Sequence, residues 1–174
     1  MGFKQDEREE SHLKDSLRYR LVLHMNLTQT AYGTWSGGRY MHFGETLDED
    51  HYRECIRVAY RAGIRTFVTA DAYGQGRADQ ALGEVLSEYP RDSYCLVGMV
   101  GHDLEEERQG SAGFPRFTNP NLRDASGYRD FLRKACEASL QNCKTDHFDL
   151  LMLHNPDELG YTSDAVWKLS LIHI

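Results

Sequence analysis

The chain has 174 residues, a formal net charge of −7 and 27% charged side chains. This acidic balance has no basic stripe and argues against a nucleic-acid partner. The longest apolar runs fall well short of the ~20 residues that span a membrane, so no membrane partner is expected.

Residues 1–17 are charged and lack an apolar h-region. They read as a flexible polar leader rather than a secretory signal, and a cytoplasmic location is expected. Cys55, Cys95, Cys136 and Cys143 form no C-x-x-C pair. They read as small buried hydrophobes in a reducing compartment, not as zinc ligands or a redox motif.

In chain order, residues 18–27 alternate weakly and suggest a strand or hairpin. Residues 27–32 form a candidate first strand ending at Gly33, and Ser36-Gly37-Gly38 marks a loop. A helix is predicted to start within residues 45–50, with Thr46 or Asp48 as N-cap. Tyr52, Cys55, Ile56, Ala59 and Tyr60 make its apolar stripe, and Gly63 ends it. Residues 64–70 read as a buried strand, and Tyr73 follows its end. Gly74 and Gly76 supply a tight turn, and a helix carrying Ala78, Ala81, Leu82, Val85 and Leu86 begins near Arg77.

Residues 94–100 make the third strand. The stretch 101–125, rich in Gly, Pro and charge, is long enough to be functional. Within it, Phe114-Pro115-Arg116-Phe117 reads either as cover for a pocket or as an insertion packing its own phenylalanines. A helix over 126–142 carries Ser126 as expected N-cap. Residues 148–153 are a near-continuous apolar strand, as expected when both faces are buried. A last helix starts at Thr162 or Ser163. The β-α alternation predicts a parallel sheet with right-handed crossovers, and a barrel and a doubly wound sheet fit it equally.

Four ordered pieces decide between them. Ala70-Asp71-Ala72-Tyr73-Gly74 resembles the aldo-keto reductase signature after the second barrel strand. Gly33-Thr34-Trp35 resembles the family's turn after strand one, and residues 94–101 its strand three. Asp149-Leu150-Leu151-Met152-Leu153-His154-Asn155-Pro156 resembles strand four with its histidine. The resemblance covers residues 18–167, about the first half of a family member. It implies an α/β fold, a (β/α)8 TIM barrel of which about four β-α units are present. A barrel needs ~250 residues, so the chain reads as a truncated fragment. Residues 169–174 resemble a translated sequencing adapter and read as a non-native tail, leaving 18–168 as the partial barrel domain.

The same resemblance implies NADP(H) as cofactor for the full-length protein and a small-molecule aldehyde or ketone as substrate. Tyr73 takes the proton-donor position and His154 the position that orients the carbonyl. Gly33, Thr34 and Trp35 would line the nicotinamide end, while the phosphate loops lie later in the barrel. The family's aspartate and lysine positions are Val68 and Met99 here. Both partners of a buried ion pair are replaced by apolar groups, the pattern that costs least.

Asp71 reads as a solvated loop residue, with recruitment as a substitute acid the lesser alternative. His147 and His154, at odd spacing, fall on opposite faces, so no metal site is expected from them. Three functions stay open: a reductase with weak or altered activity, a non-catalytic cofactor-binding or regulatory protein, and a lyase or isomerase using Tyr73 and His154. Oligomeric state is not legible.

Overall fold

The computed structural model describes residues 27–35, 42–43, 45–46, 48–105 and 114–172. The weakly alternating stretch at 18–26 and the loop at 36–38 lie outside the described residues. Strand β1 (Ala31–Gly33) is followed by a short antiparallel pair, β2 (His42–Phe43) and β3 (Glu45–Thr46). Helix α1 (Glu49–Arg61) comes next, then β4 (Thr66–Ala70), α2 (Arg77–Leu86) and β5 (Cys95–Val100). After the long connection come α3 (Tyr128–Asn142), β6 (Leu150–Leu153), α4 (Glu158–Thr162) and α5 (Asp164–Ile172).

The main sheet is parallel in the order β1-β4-β5-β6. Its alternation fixes two faces. Phe67 on β4 and Leu96 on β5 join one core with Tyr52 and Ile56 of α1 and Leu82 and Leu86 of α2. The neighbouring positions Val68 and Met99 therefore share the opposite face. Val68 pairs with Val97, and Met99 pairs with Ala70 and with Met152. A second core gathers Val100, Phe117, Tyr128, Leu132 and Val166 under the later helices. On β6, which ends the strand order, Leu150, Leu151 and Met152 are exposed. The sequence predicted burial on both faces there.

Several boundaries differ from expectation for local reasons. Helix α1 begins at Glu49 because Glu45 and Thr46 pair with β2. Of the two candidate caps, Asp48 does the work, its carboxylate accepting from the His51 N–H at 2.8 Å. Helix α3 begins at Tyr128 rather than after Ser126. The Asp124 carboxylate takes the Ser126 N–H and closes a single 3-10 turn over Ala125–Gly127 first. Helix α4 was missed because five residues are too few to show a helical period; Asp157 caps it through the Gly160 N–H.

In the long connection, Phe117 is buried edge-on to Tyr128 and stacked on Phe131. Of the two readings of that segment, core packing is the one this residue fulfils.

Candidate active site

The strands β4, β5 and β6 end side by side, and the residues just beyond them converge. Past β4 the chain turns through a 3-10 segment, Tyr73–Gly76, in which Gly74, Gln75 and Gly76 all have positive φ. Gly76 has φ 84°, and a Cβ there would lie 2.9 Å from the Asn142 side chain, so glycine is needed for both conformation and space. The turn sets the Tyr73 ring 5.3 Å from that of His154, perpendicular to it. Trp35, two residues past the end of β1, has its ring 6.4 Å from that of Tyr73.

Asp71 is not the solvated loop residue the sequence suggested. It is 5% exposed. Its backbone N–H continues the sheet by donating to Met99. Its carboxylate then reaches across the end of β5, where Oδ2 accepts from the Gly101 N–H at 2.9 Å and the His102 N–H at 3.4 Å. The other oxygen, Oδ1, faces His154 Nδ1 at 3.8 Å, too long for a hydrogen bond.

Gly101, at φ 153°, lets β5 turn immediately, and a Cβ there would press on the His154 backbone at 3.1 Å. The turn brings in His102, which the sequence reading overlooked. Its ring lies 4.5 Å from that of His154, edge to face. The available signal was positional: Asp71, His102 and His154 each follow the end of a parallel strand, where side chains gather at one rim. His147, nearer to His154 in sequence, is surface-exposed and paired with Asp146.

Burial controls the site's acid–base character. It raises the Tyr73 phenol above its ordinary range, and the Asp71 charge adds to the effect. Burial also pushes the His102 imidazole down, with His154 adding to that. A cleft of about 530 Å³ lined by Asp71, Gly76, His102, Asp103, Lys134 and Ser139, among others, leads to this rim.

Below the rim a buried relay links β1 to α3. Thr34 donates to Thr69, Thr69 donates to Asp79, and Ser139 donates to the other Asp79 oxygen. Thr34 is fully buried, and its carbonyl accepts from the Tyr52 hydroxyl. Gly33 pairs with Val68 at the end of β1. Of the three residues expected at the nicotinamide end, Trp35 is the one that presents a large exposed side chain.

A half-exposed indole beside Tyr73 offers a wall for a planar ring, so these residues would fit the nicotinamide end of a cofactor. The phosphate end is not represented among them.

A parallel β-α sheet with a tyrosine and a histidine at its carboxyl rim defines the class, and comparison with known proteins gives the family. The model of the aldo/keto reductase family matches residues 30–169, and the chain belongs to that family. An aldo-keto reductase of Bacillus subtilis, YhdN, is 33% identical over 128 residues, 73% of this chain and 34% of that protein. The 6-dehydroglucose reductase of Agrobacterium fabrum is 30% identical over 139 residues, 78% of this chain and 42% of that protein. An aldo-keto reductase of Bacillus halodurans, solved in its holo form, superposes with a TM-score of 0.59 at 26% identity. That match covers 84% of this chain and 43% of the other, so the sheet is part of a (β/α)8 barrel. The chain thus spans less than half the length of the relatives it matches.

Among the described residues, no helix is long and apolar enough to cross a membrane.

Proposed function

We propose that the protein encoded by the complete reading frame is an NADP(H)-dependent reductase of a small aldehyde or ketone. The observation that carries the reading is the Tyr73–His154 pair, ring to ring at 5.3 Å at the carboxyl rim of the sheet. Tyr73 is the proton donor to the carbonyl oxygen, and His154 holds that oxygen in line by a hydrogen bond from its ring. Trp35 walls the nicotinamide, with Gly33 and Thr34 shaping the turn beneath it. When bound, the cofactor supplies the hydride; this chain's residues place the carbonyl and move the proton.

The apolar pair Val68 and Met99 makes this a slow enzyme. In the family's pattern a lysine held by an aspartate favours the phenolate and so strengthens the tyrosine as an acid. Here burial and Asp71 act on Tyr73 in the opposite sense. The same apolar pair favours the runner-up, a protein that binds the cofactor without turning it over.

Transfer of label separates the two. NADPH deuterated at the nicotinamide C4 is incubated with the protein and a panel of aldehydes. Deuterium in the product alcohol supports the reductase. Tight NADPH binding with no labelled alcohol from any aldehyde supports the runner-up.

A further inference from the structure

The geometry points to a divalent transition-metal site in which Asp71 Oδ1, His102 Nδ1 and His154 Nδ1 are the three protein ligands. The observation is a coincidence of two independent features. One atom from each of these residues comes within 4.8 Å of the other two. The same three residues also hold the buried side-chain atoms that lack a hydrogen-bond partner among the described residues: Asp71 Oδ1, His102 Nδ1 and His154 Nδ1. Asp71, His102 and His154 are 5%, 9% and 9% exposed.

A buried polar atom without a partner is destabilising, and three in one spot compound that. Mutual pairing does not relieve it, since Asp71 Oδ1 and His154 Nδ1 are 3.8 Å apart and the two rings meet edge to face. One cation accepts all three lone pairs at once. Ligand atoms around a tetrahedral zinc at ~2.1 Å lie ~3.4 Å apart, so the Asp71–His154 separation needs to close by only about 0.4 Å.

The donor set, two imidazoles and one carboxylate, suits zinc or iron-type ions rather than calcium or magnesium. The carboxylate is also aimed. Its second oxygen is held by the Gly101 and His102 N–H groups, the outer contacts that orient a metal-binding carboxylate. Three protein ligands leave coordination positions for solvent, as in catalytic rather than structural zinc sites. The cleft beside Asp71 and His102 gives access.

The site goes beyond the reductase reading and is compatible with it. A histidine bound through Nδ1 carries its proton on Nε2, the form that donates to a carbonyl oxygen. The ion would also set a positive charge beside Tyr73, where Met99 supplies none.

The test uses untagged protein from the complete reading frame, stripped with chelator and titrated with Co2+. Expected are a visible ligand-field band saturating at about one ion per chain, bleached by Zn2+, and a higher thermal midpoint with Zn2+ present. His102→Gln and Asp71→Asn are each expected to weaken Co2+ binding at least ~100-fold, while His147→Gln binds as the wild type does. Absence of both the band and the midpoint shift in the wild type overturns the site and leaves a polar, water-filled pocket. Undiminished binding in His102→Gln overturns the ligand set. If a variant does not fold, the wild-type band and its displacement decide. Metal binding and deuterium transfer are read separately, so failure of one leaves the other standing.

Discussion

Asp71 and His154 face each other across the end of β5 at 3.8 Å, although 83 positions separate them in sequence, 154 minus 71. The Asp71 carboxylate is held for that encounter by the Gly101 N–H. Asp71→Ala would leave that buried N–H without its acceptor and should cost about 1–3 kcal/mol in urea unfolding. Asp71→Asn keeps an acceptor oxygen and should cost less. Equal losses in the two variants would show that the Gly101 contact contributes nothing.

Asp79 is a second buried acid, enclosed by Thr69 and Ser139, with burial raising its pKa to about 6. Its folded pKa thus lies above the unfolded value, so its favourable contribution is fully present below about pH 4. That contribution is lost as pH rises through about 6. Urea unfolding from pH 4 to 7.5 should show this loss in the wild type, of the order of 3 kcal/mol. Asp79→Asn should flatten that part of the profile. An unchanged profile would mean that Asp79 titrates normally.

Gly83 separates propensity from packing. In a helix interior, Gly→Ala usually stabilises by about 1 kcal/mol. At Gly83 in α2, a Cβ would sit 2.5–2.7 Å from the Cys143 and Asn142 backbone at the end of α3. Backbone cannot swing aside as a side chain can, so Gly83→Ala should lower stability by about 1–3 kcal/mol. A rise in the thermal midpoint would contradict this close approach of the helices.

The sequence carried the order of the major elements, because their periods are long and regular. The apolar stripe of α1, its Asp48 cap and the terminating Gly63 are local signals, and all three are found. What the sequence left open or missed was non-local or too short. The Phe117 side chain is placed by Tyr128 and Phe131, which no spacing announces. Tyr73 and His154 could be put at one rim from strand ends alone. Asp71 could not be recognised as buried, because its burial depends on N–H groups thirty positions downstream. His102 was hidden because Gly101 turns the strand back over the site, a consequence of φ 153° rather than of residue pattern.

Val68 and Met99 occupy the same face of adjacent strands, displaced by two residues in register, Val68 opposite Val97 and Met99 opposite Ala70. Val68→Asp or Met99→Lys alone puts a lone charge on an apolar face and should depress both stability and turnover. The double substitution supplies each charge with its partner. It should raise NADPH-dependent aldehyde reduction above that of either single variant. A double variant no faster than the singles would separate slow turnover from the missing ion pair.

Proton donation from Tyr73 to a carbonyl rests on its single phenolic oxygen. The most direct measurement is steady-state NADPH oxidation with an aldehyde panel, comparing the protein from its complete reading frame with Tyr73→Phe. The substitution removes one oxygen and leaves the ring against Trp35 and His154. Expected are turnover by the wild type and a loss of about 100-fold or more in Tyr73→Phe, with NADPH binding retained. Equal rates in the two proteins would contradict proton donation by Tyr73.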